Sequence, residues 1–229
     1  MIFVGHDSRE QEAFDVCKFS VESRSNLKVY KLSSADIPEY SRNFGEPQST
    51  DFTFTRFWVP YLSGYKGFSI FCDCDFLFLE DPNELIKIAK MDPTKAVWVA
   101  QHPTYIPKSA LKMDNISQNS YEMKNWSSLM VFNNEHYDCS KLTPEWLNNH
   151  PRGIDFHKFN WTDANNIGSI PLDWNCLDGY YHLENPKAIH YTDGGPWFED
   201  YRETFYSDLW YKERKKCLTL EHTCSILLK

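Results

Sequence analysis

"FSIFCDCDFLFLEDP", residues 68–82, opens with an apolar run, meets two aspartates spaced by one residue, and turns apolar again. A short apolar run with polar ends is the pattern of a strand buried on both faces. Alternate side chains of a strand share a face, so Asp73 and Asp75 project the same way, with carboxylates close enough to repel. Such a pair calls for a positive charge between them. A bare Asp-x-Asp is also what a solvated strand end carries, so the surrounding segments decide.

Working outward, "IFV" (2–4) is a buried strand opening at Gly5, and Ser8 with Gln11 predicts a capping box for a helix that buries Phe14, Cys17 and Val21. "LKVYKL" (27–32) is a second strand, and the polar stretch 33–50, with Pro38, Gly45 and Pro47, is a long loop. Residues 51–63 place Phe54, Phe57, Trp58, Tyr61 and Leu62 at helical spacing, with a kink at Pro60 and a stop at Gly64. Beyond the opening stretch, Asp81, Pro82 and Glu84 start a helix that buries Leu85, Ile88 and Ala89. "AVWVA" (96–100) and "NWSSLMVFN" (125–133) are further strands, and 103–122 is an irregular loop over the site. A helix is expected near 144–149, and another over 201–218 packs its aromatic residues on the body.

Strands alternating with helices predict a single α/β domain with a mostly parallel sheet flanked by helices. Ligands of such sheets gather at the carboxyl ends of strands, so Gly5–Asp7 and Asp73–Asp75 should share one crevice.

The 229 residues suffice for one such domain with a sizeable core. Aromatic residues make up 16% of the chain, enough to suggest a surface that stacks on flat ligands such as bases or sugar rings. A net charge of −8 repels a phosphate backbone and argues against a nucleic-acid partner. The seven cysteines include no C-x-x-C pair and read as reduced thiols. "MIFVGHD" has neither the basic nor the apolar region of a secretion signal, and no stretch reaches the roughly 18 apolar residues of a membrane helix. A soluble, cytoplasmic protein is the expectation.

Magnesium or manganese is commonly held by one or two carboxylates together with substrate phosphates. His190 in "AIHYTDGGPWF" (188–198) is the best of the eight histidines to complete the set, because Gly194 and Gly195 beside it allow backbone N–H groups to approach a diphosphate.

"FTRFWVPYL", "FCDCDFLFLEDPNEL", "NWSSLMVFN" and "IHYTDGGPW", in that order, resemble the blocks of GT-A fold glycosyltransferases, in particular the glycogenin and lipopolysaccharide galactosyltransferase type. The resemblance spans residues 1 to about 200 and leaves 201–229 as a C-terminal helical extension packed on the transferase domain. It implies a GT-A (Rossmann-like) fold and a nucleotide-sugar donor, with UDP-sugar favoured, whose diphosphate is gripped through Mn2+ or Mg2+ by Asp73, Asp75 and His190. Arg56 would lie near the donor, and Asn125, Trp126, Ser127 and Ser128 would meet its sugar. Gly5, His6, Asp7 and Arg9 match the region that holds base and ribose, with Trp126 and Trp197 as walls of the pocket. Transfer with retention to a glycan or other small, soluble acceptor is implied.

Two departures stand out. The family's Lys before Pro-Trp is replaced by Gly195, which leaves Arg9 and Lys108 as basic candidates for the phosphate. Its Asp-Gln pair has no clear equivalent, and Asp163, Asp173 and Asp155 are the carboxylates available for catalysis. Asp163 reads equally as a turn cap.

A haloacid-dehalogenase type phosphatase also carries Asp-x-Asp after an apolar strand, but it needs Thr or Val where Leu77 stands, and its lysine and double-acid blocks are missing. A non-catalytic sugar- or nucleotide-binding module on the same fold would have no need of Asp73, Asp75 and His190 together.

Overall fold

The computed structural model describes residues 1–46, 48–103, 111–112, 116–117, 123–180 and 182–227, with backbone only for 111–112, 116–117 and 221–227. The chain opens with β1 (Ile2–Gly5), α1 (Gln11–Glu22) and β2 (Val29–Leu32), a strand–helix–strand unit whose two strands pair in parallel. A short helix α2 (Val59–Leu62) leads to β3 (Phe68–Cys72), β4 (Phe76–Phe78), α3 (Asn83–Lys90) and β5 (Val97–Ala100). The two-residue strands β6 (Leu111–Lys112) and β7 (Ile116–Ser117) pair antiparallel inside the segment expected to be irregular; the rest of 104–122, including Lys108, lies outside the described residues. Then follow β8 (Leu129–Asn133), α4 (Tyr137–Ser140), α5 (Pro144–Asn149), α6 (Gly153–His157), β9 (Ile167–Ile170), β10 (Cys176–Leu177), β11 (Ala188–His190) and α7 (Ser207–Leu227).

Six strands form the central sheet in the order β2-β1-β3-β8-β5-β9. Only β8 runs against the others, so the sheet is mostly parallel as expected. Strands β1, β5 and β8 are buried at every position, which explains why they read as unbroken apolar runs rather than alternating ones. Val4 lies opposite Cys72 and Cys72 opposite Leu129, so Gly5, Asp73 and the entry to β8 share one end of the sheet. Ala100 pairs with Ile170, so β5 and β9 also leave there.

A second sheet, β10-β11-β4, stands beside the first. β4 follows Asp75 directly and pairs antiparallel with β11, His190 opposite Phe76. A residue 115 positions downstream is thereby carried to the acidic turn.

Several local expectations need correction. The single helix expected over 51–63 is a run of turns, a 3-10 turn at Thr55–Trp58 and only then α2, because Pro60 has no N–H to continue a ladder and sits instead in the first helical turn. Ser8 and Gln11 do not form a capping box; Asp7 caps the turn Ser8–Glu10, accepting from the Arg9 amide. The strand of residues 68–75 ends at Cys72, so both aspartates lie in the turn beyond it. Asn125–Ser128 are not strand: Asn125 sits at φ +67° and a 3-10 turn precedes β8.

The 33–50 loop is anchored by Arg42. This buried side chain is ion-paired with Glu46, donates to the Leu147 carbonyl at 3.2 Å and stacks on Phe54 and Phe156. At the other end of the chain, α7 packs on α1 through the Arg24–Glu213 and Arg214–Glu12 pairs. No helix among the described residues is long and apolar enough to cross a membrane.

Candidate active site

Asp73 and Asp75 lie in the tight turn between β3 and β4, at the point where the two sheets meet. The Asp73 amide extends the β3–β8 ladder by donating to the Ser128 carbonyl at 2.9 Å, and the Asp75 carbonyl accepts from the Tyr191 amide at 3.0 Å. The turn is therefore fixed to one sheet through its first aspartate and to the other through its second. Ligand atoms of Asp73, Asp75 and His190 all lie within 4.8 Å of one another.

Each of the two acids has its own nitrogen-bearing neighbour. Arg56 Nη1 stands 3.0 Å from Asp73 Oδ1 in an almost fully buried ion pair, and its guanidinium also donates to the Ser127 and Phe52 carbonyls. His190 stacks on Phe76 with centroids 4.5 Å apart at 17°, and its Nε2 stands 3.4 Å from Asp75 Oδ2. Two carboxylates and an imidazole nitrogen converging on one point form an oxygen-and-nitrogen donor set that suits a hard divalent cation. The fit is also electrostatic, since two neighbouring carboxylates repel and a cation between them offsets that repulsion.

Among the residues expected at the site, Ser127 and Ser128 are brought directly to it. Ser127 gives its carbonyl to Arg56 and its hydroxyl meets His157 Nδ1 at 2.8 Å. Burial, with Arg56 beside it, pushes the pKa of His157 down to about 3, so that ring stays neutral. Ser128 Oγ donates to the Asn125 carbonyl at 2.7 Å. Trp126 donates to the His102 carbonyl at 3.2 Å.

Gly5 stands at the neighbouring strand end, where a Cβ would lie 2.5 Å from the Phe52 ring; its need is close packing. Asp7 is buried and accepts from Arg9 Nε at 2.9 Å, Arg9 Nη2 at 2.7 Å and the Asp51 amide at 3.2 Å. Burial alone would raise the Asp7 pKa, but these bonds outweigh it and hold the carboxyl below its usual range. Arg9 also donates to the Ser49 carbonyl, so it ties the 49–51 segment to the end of β1, and His6 is bonded to Gln11.

Gly194 has φ +128°, and a Cβ on Gly195 would fall 2.1 Å from the Trp197 ring. Trp197 packs on Tyr191 and Trp210, joining the site loop to α7. Trp197→Phe is expected to cost about 1–2 kcal/mol and Trp197→Ala about 3–5 kcal/mol, measured by urea unfolding, with donor affinity falling only modestly in the Phe variant. Loss of turnover in Trp197→Phe with stability and donor affinity intact would contradict this packing role.

The expected catalytic carboxylates are not gathered with the cluster. Asp163 is exposed and caps the turn Ala164–Asn166 ahead of β9, at the end of the sheet opposite Asp73. Asp173 is ion-paired with Lys187 at 3.0 Å, and Asp155 is held by His150 and Asn160.

Two site residues had no motif to mark them. Asn175 is fully buried and its Oδ1 lies 3.0 Å from His190 Nδ1. His102, just beyond β5, is held neutral with a pKa near 3 by burial and by its proximity to His190, against a hydrogen bond with Asn175. A histidine two residues after a buried strand was the available signal for His102.

Comparison with solved structures finds the same fold in glycosyltransferases. The bifunctional glycosyltransferase WbbM matches 93% of this chain at a TM-score of 0.62 and 15% identity, although the chain spans only 49% of WbbM. The galactosyltransferase LgtC, solved with donor and acceptor sugar analogues, matches over 94% of this chain and 95% of its own at a TM-score of 0.59 and 12% identity. GlyE of Streptococcus pneumoniae matches at 0.61 and 14% identity, over 98% of this chain and 63% of its own. The fold is thus the GT-A-like glycosyltransferase fold, resembling that of the lipopolysaccharide galactosyltransferase. No protein-family model matches the sequence. Among characterised sequences, Protein CDI of Arabidopsis thaliana is 39% identical over 226 residues, covering 94% of this chain and 86% of that protein, and the chain belongs to the same family as Protein CDI.

Proposed function

We infer that the chain is a metal-dependent glycosyltransferase that takes a sugar from a nucleoside-diphosphate donor, with UDP-sugar favoured, and passes it to a glycan or other soluble acceptor. The observation that carries this is the convergence of Asp73, Asp75 and His190 at the carboxyl ends of the strands in a glycosyltransferase fold. In this reading residues 1–200 are the transferase unit, α7 is an extension packed on it, and the protein works in the cytoplasm.

A divalent ion, manganese or magnesium, would supply Lewis-acid neutralisation of the charge developing on the departing diphosphate. Asp73, Asp75 and His190 would hold it. Arg56 would hold Asp73 in position through their 3.0 Å ion pair, while Asn125–Ser128, Gly194 and Gly195 would meet the sugar and phosphates. Gly5, His6 and Asp7, with Arg9 bracing the loop, would receive base and ribose.

Retention of anomeric configuration fits this set better than inversion. An inverting transferase needs a carboxylate within hydrogen-bond reach of the acceptor hydroxyl as general base. Asp163 stands at the far end of the sheet, and Asp155 and Asp173 are engaged by His150, Asn160 and Lys187. With retention, a diphosphate oxygen can assist the acceptor on the departing face, so cation and phosphate contacts carry most of the stabilisation.

A thermal-shift series of nucleotide sugars with and without manganese tests the donor, because a ligand of the native state raises its stability by mass action. The expected result is a manganese-dependent shift with one nucleotide sugar. Proton NMR of the first-formed product is then expected to show the donor's anomeric configuration retained; an inverted linkage would overturn retention, and no shift with any donor would overturn the transferase reading.

A further inference from the structure

We propose that Asn175 is a positioning residue for His190, fixing the imidazole as the Nδ1–H tautomer so that its Nε2 lone pair stays on the Asp73–Asp75 side. The proposal rests on the metal-site reading above and adds a residue and an atomic role to it.

The amide orientation follows from its neighbours. Ser128 Oγ donates its hydrogen to the Asn125 carbonyl at 2.7 Å, so toward Asn175, 3.0 Å away, it can only accept. Asn175 Nδ2 must therefore face Ser128, and it points also at the Asn125 carbonyl 3.4 Å away. Its Oδ1 is left facing His190 Nδ1 at 3.0 Å. A carbonyl-type oxygen has no proton to give, so this contact is a hydrogen bond only when Nδ1 carries the hydrogen. The lone pair of a neutral ring then belongs to Nε2, which stands 3.4 Å from Asp75 Oδ2. Phe76, stacked on the ring face, blocks rotation out of this plane.

The carbonyl of Asn125 is the pivot. It accepts from Ser128 and receives Asn175 because Asn125 adopts the left-handed backbone at φ +67°, a conformation that asparagine tolerates better than most residues. Asn125 Oδ1 accepts from Thr192 at 3.3 Å, two residues beyond His190. The chain of bonds thus runs from the β8 entry through Asn175 to both sides of the β11 end. Asn175 is fully buried, so water does not compete for these bonds.

The test compares Asn175→Leu, which keeps similar volume but removes the acceptor, with Asn175→Asp, which keeps an acceptor facing Nδ1. In metal-free wild-type protein at pH 8, imidazole 15N shifts are expected to report the Nδ1–H tautomer for His190, assigned by the signals lost in His190→Gln. Asn175→Leu is expected to show mixed tautomers and a Mn2+ affinity, by calorimetry, reduced about 10–100-fold, whereas Asn175→Asp retains both properties. An Nε2–H tautomer in the wild type overturns the proposal, and so does unchanged Mn2+ affinity in Asn175→Leu or an equal loss in both variants. If Asn175→Leu does not fold, the wild-type tautomer and the Asp variant decide. Wild-type protein that binds Mn2+ yet transfers no sugar would remove the transferase reading and leave the role of Asn175 standing. If the wild type binds no Mn2+, the cofactor assignment fails and the tautomers of the wild type and the Leu variant still decide.

Discussion

Asp75→Asn is expected to weaken divalent-metal binding by more than about 100-fold and to abolish metal-stimulated sugar transfer, while the protein stays folded. Outer partners of a metal ligand typically cost 10–100-fold when removed, and a direct carboxylate ligand should exceed that range. Asparagine keeps the shape of the side chain and removes both the charge and the anionic oxygen that faces His190 Nε2. The backbone carbonyl of residue 75 still accepts from the Tyr191 amide, so the junction of the two sheets survives. Removing one of two neighbouring carboxylates also relieves their mutual repulsion, so the urea midpoint is not expected to fall. Calorimetric titration with Mn2+ and turnover as a function of Mn2+ check this. Unchanged, metal-independent donor affinity in Asp75→Asn would reject the metal set.

The contrast with Asp73→Asn is informative because the two acids have different neighbours. Asp73 is the partner of the buried Arg56, so neutralising it leaves a guanidinium in a nearly dry setting with only carbonyl partners. That variant should lose metal binding and stability together.

The strands were legible because a strand buried on both faces is mostly apolar, as β1, β3, β5 and β8 are, with Ser69 and Asn133 the polar exceptions. β9 was not legible: "IGSI" alternates buried and exposed positions at the sheet edge, and its Gly168 is needed because a Cβ there would sit 2.2 Å from the Trp98 ring. Missing β9 is what left the position of Asp163 open, since a residue ahead of a parallel strand stands at the opposite end from ligands. The acidic pair was visible from its spacing, but its meeting with His190 depends on β4 pairing with β11, a long-range contact with no local signature. Asn175 is harder still. A neutral amide acts only through its partners, and those that set its orientation lie 15, 47 and 50 residues away.

Arg56→Met is expected to destabilise the metal-free protein by about 3–5 kcal/mol, the usual cost of breaking a buried ion pair by removing one partner. Its side chain is 8% exposed and that of Asp73 14%, so water replaces little of the lost interaction. The change also takes donors from the Ser127 and Phe52 carbonyls. Methionine follows the aliphatic part of the arginine between Phe52 and Phe71, so packing is largely kept and the loss reports the charge. Urea unfolding in chelator gives the number. Adding Asp73→Asn should restore part of it, because the double variant no longer buries the anion that Arg56 faced; the recovered fraction measures the coupling. A further consequence separates an ion pair from a simple packing role. Arg56 and a bound cation compensate the same carboxylate, so Mn2+ should raise the unfolding midpoint of Arg56→Met more than that of the wild type, by mass action with a higher affinity. Equal stability of Arg56→Met and wild type in chelator, with equal Mn2+ shifts, would show that the guanidinium does not compensate Asp73.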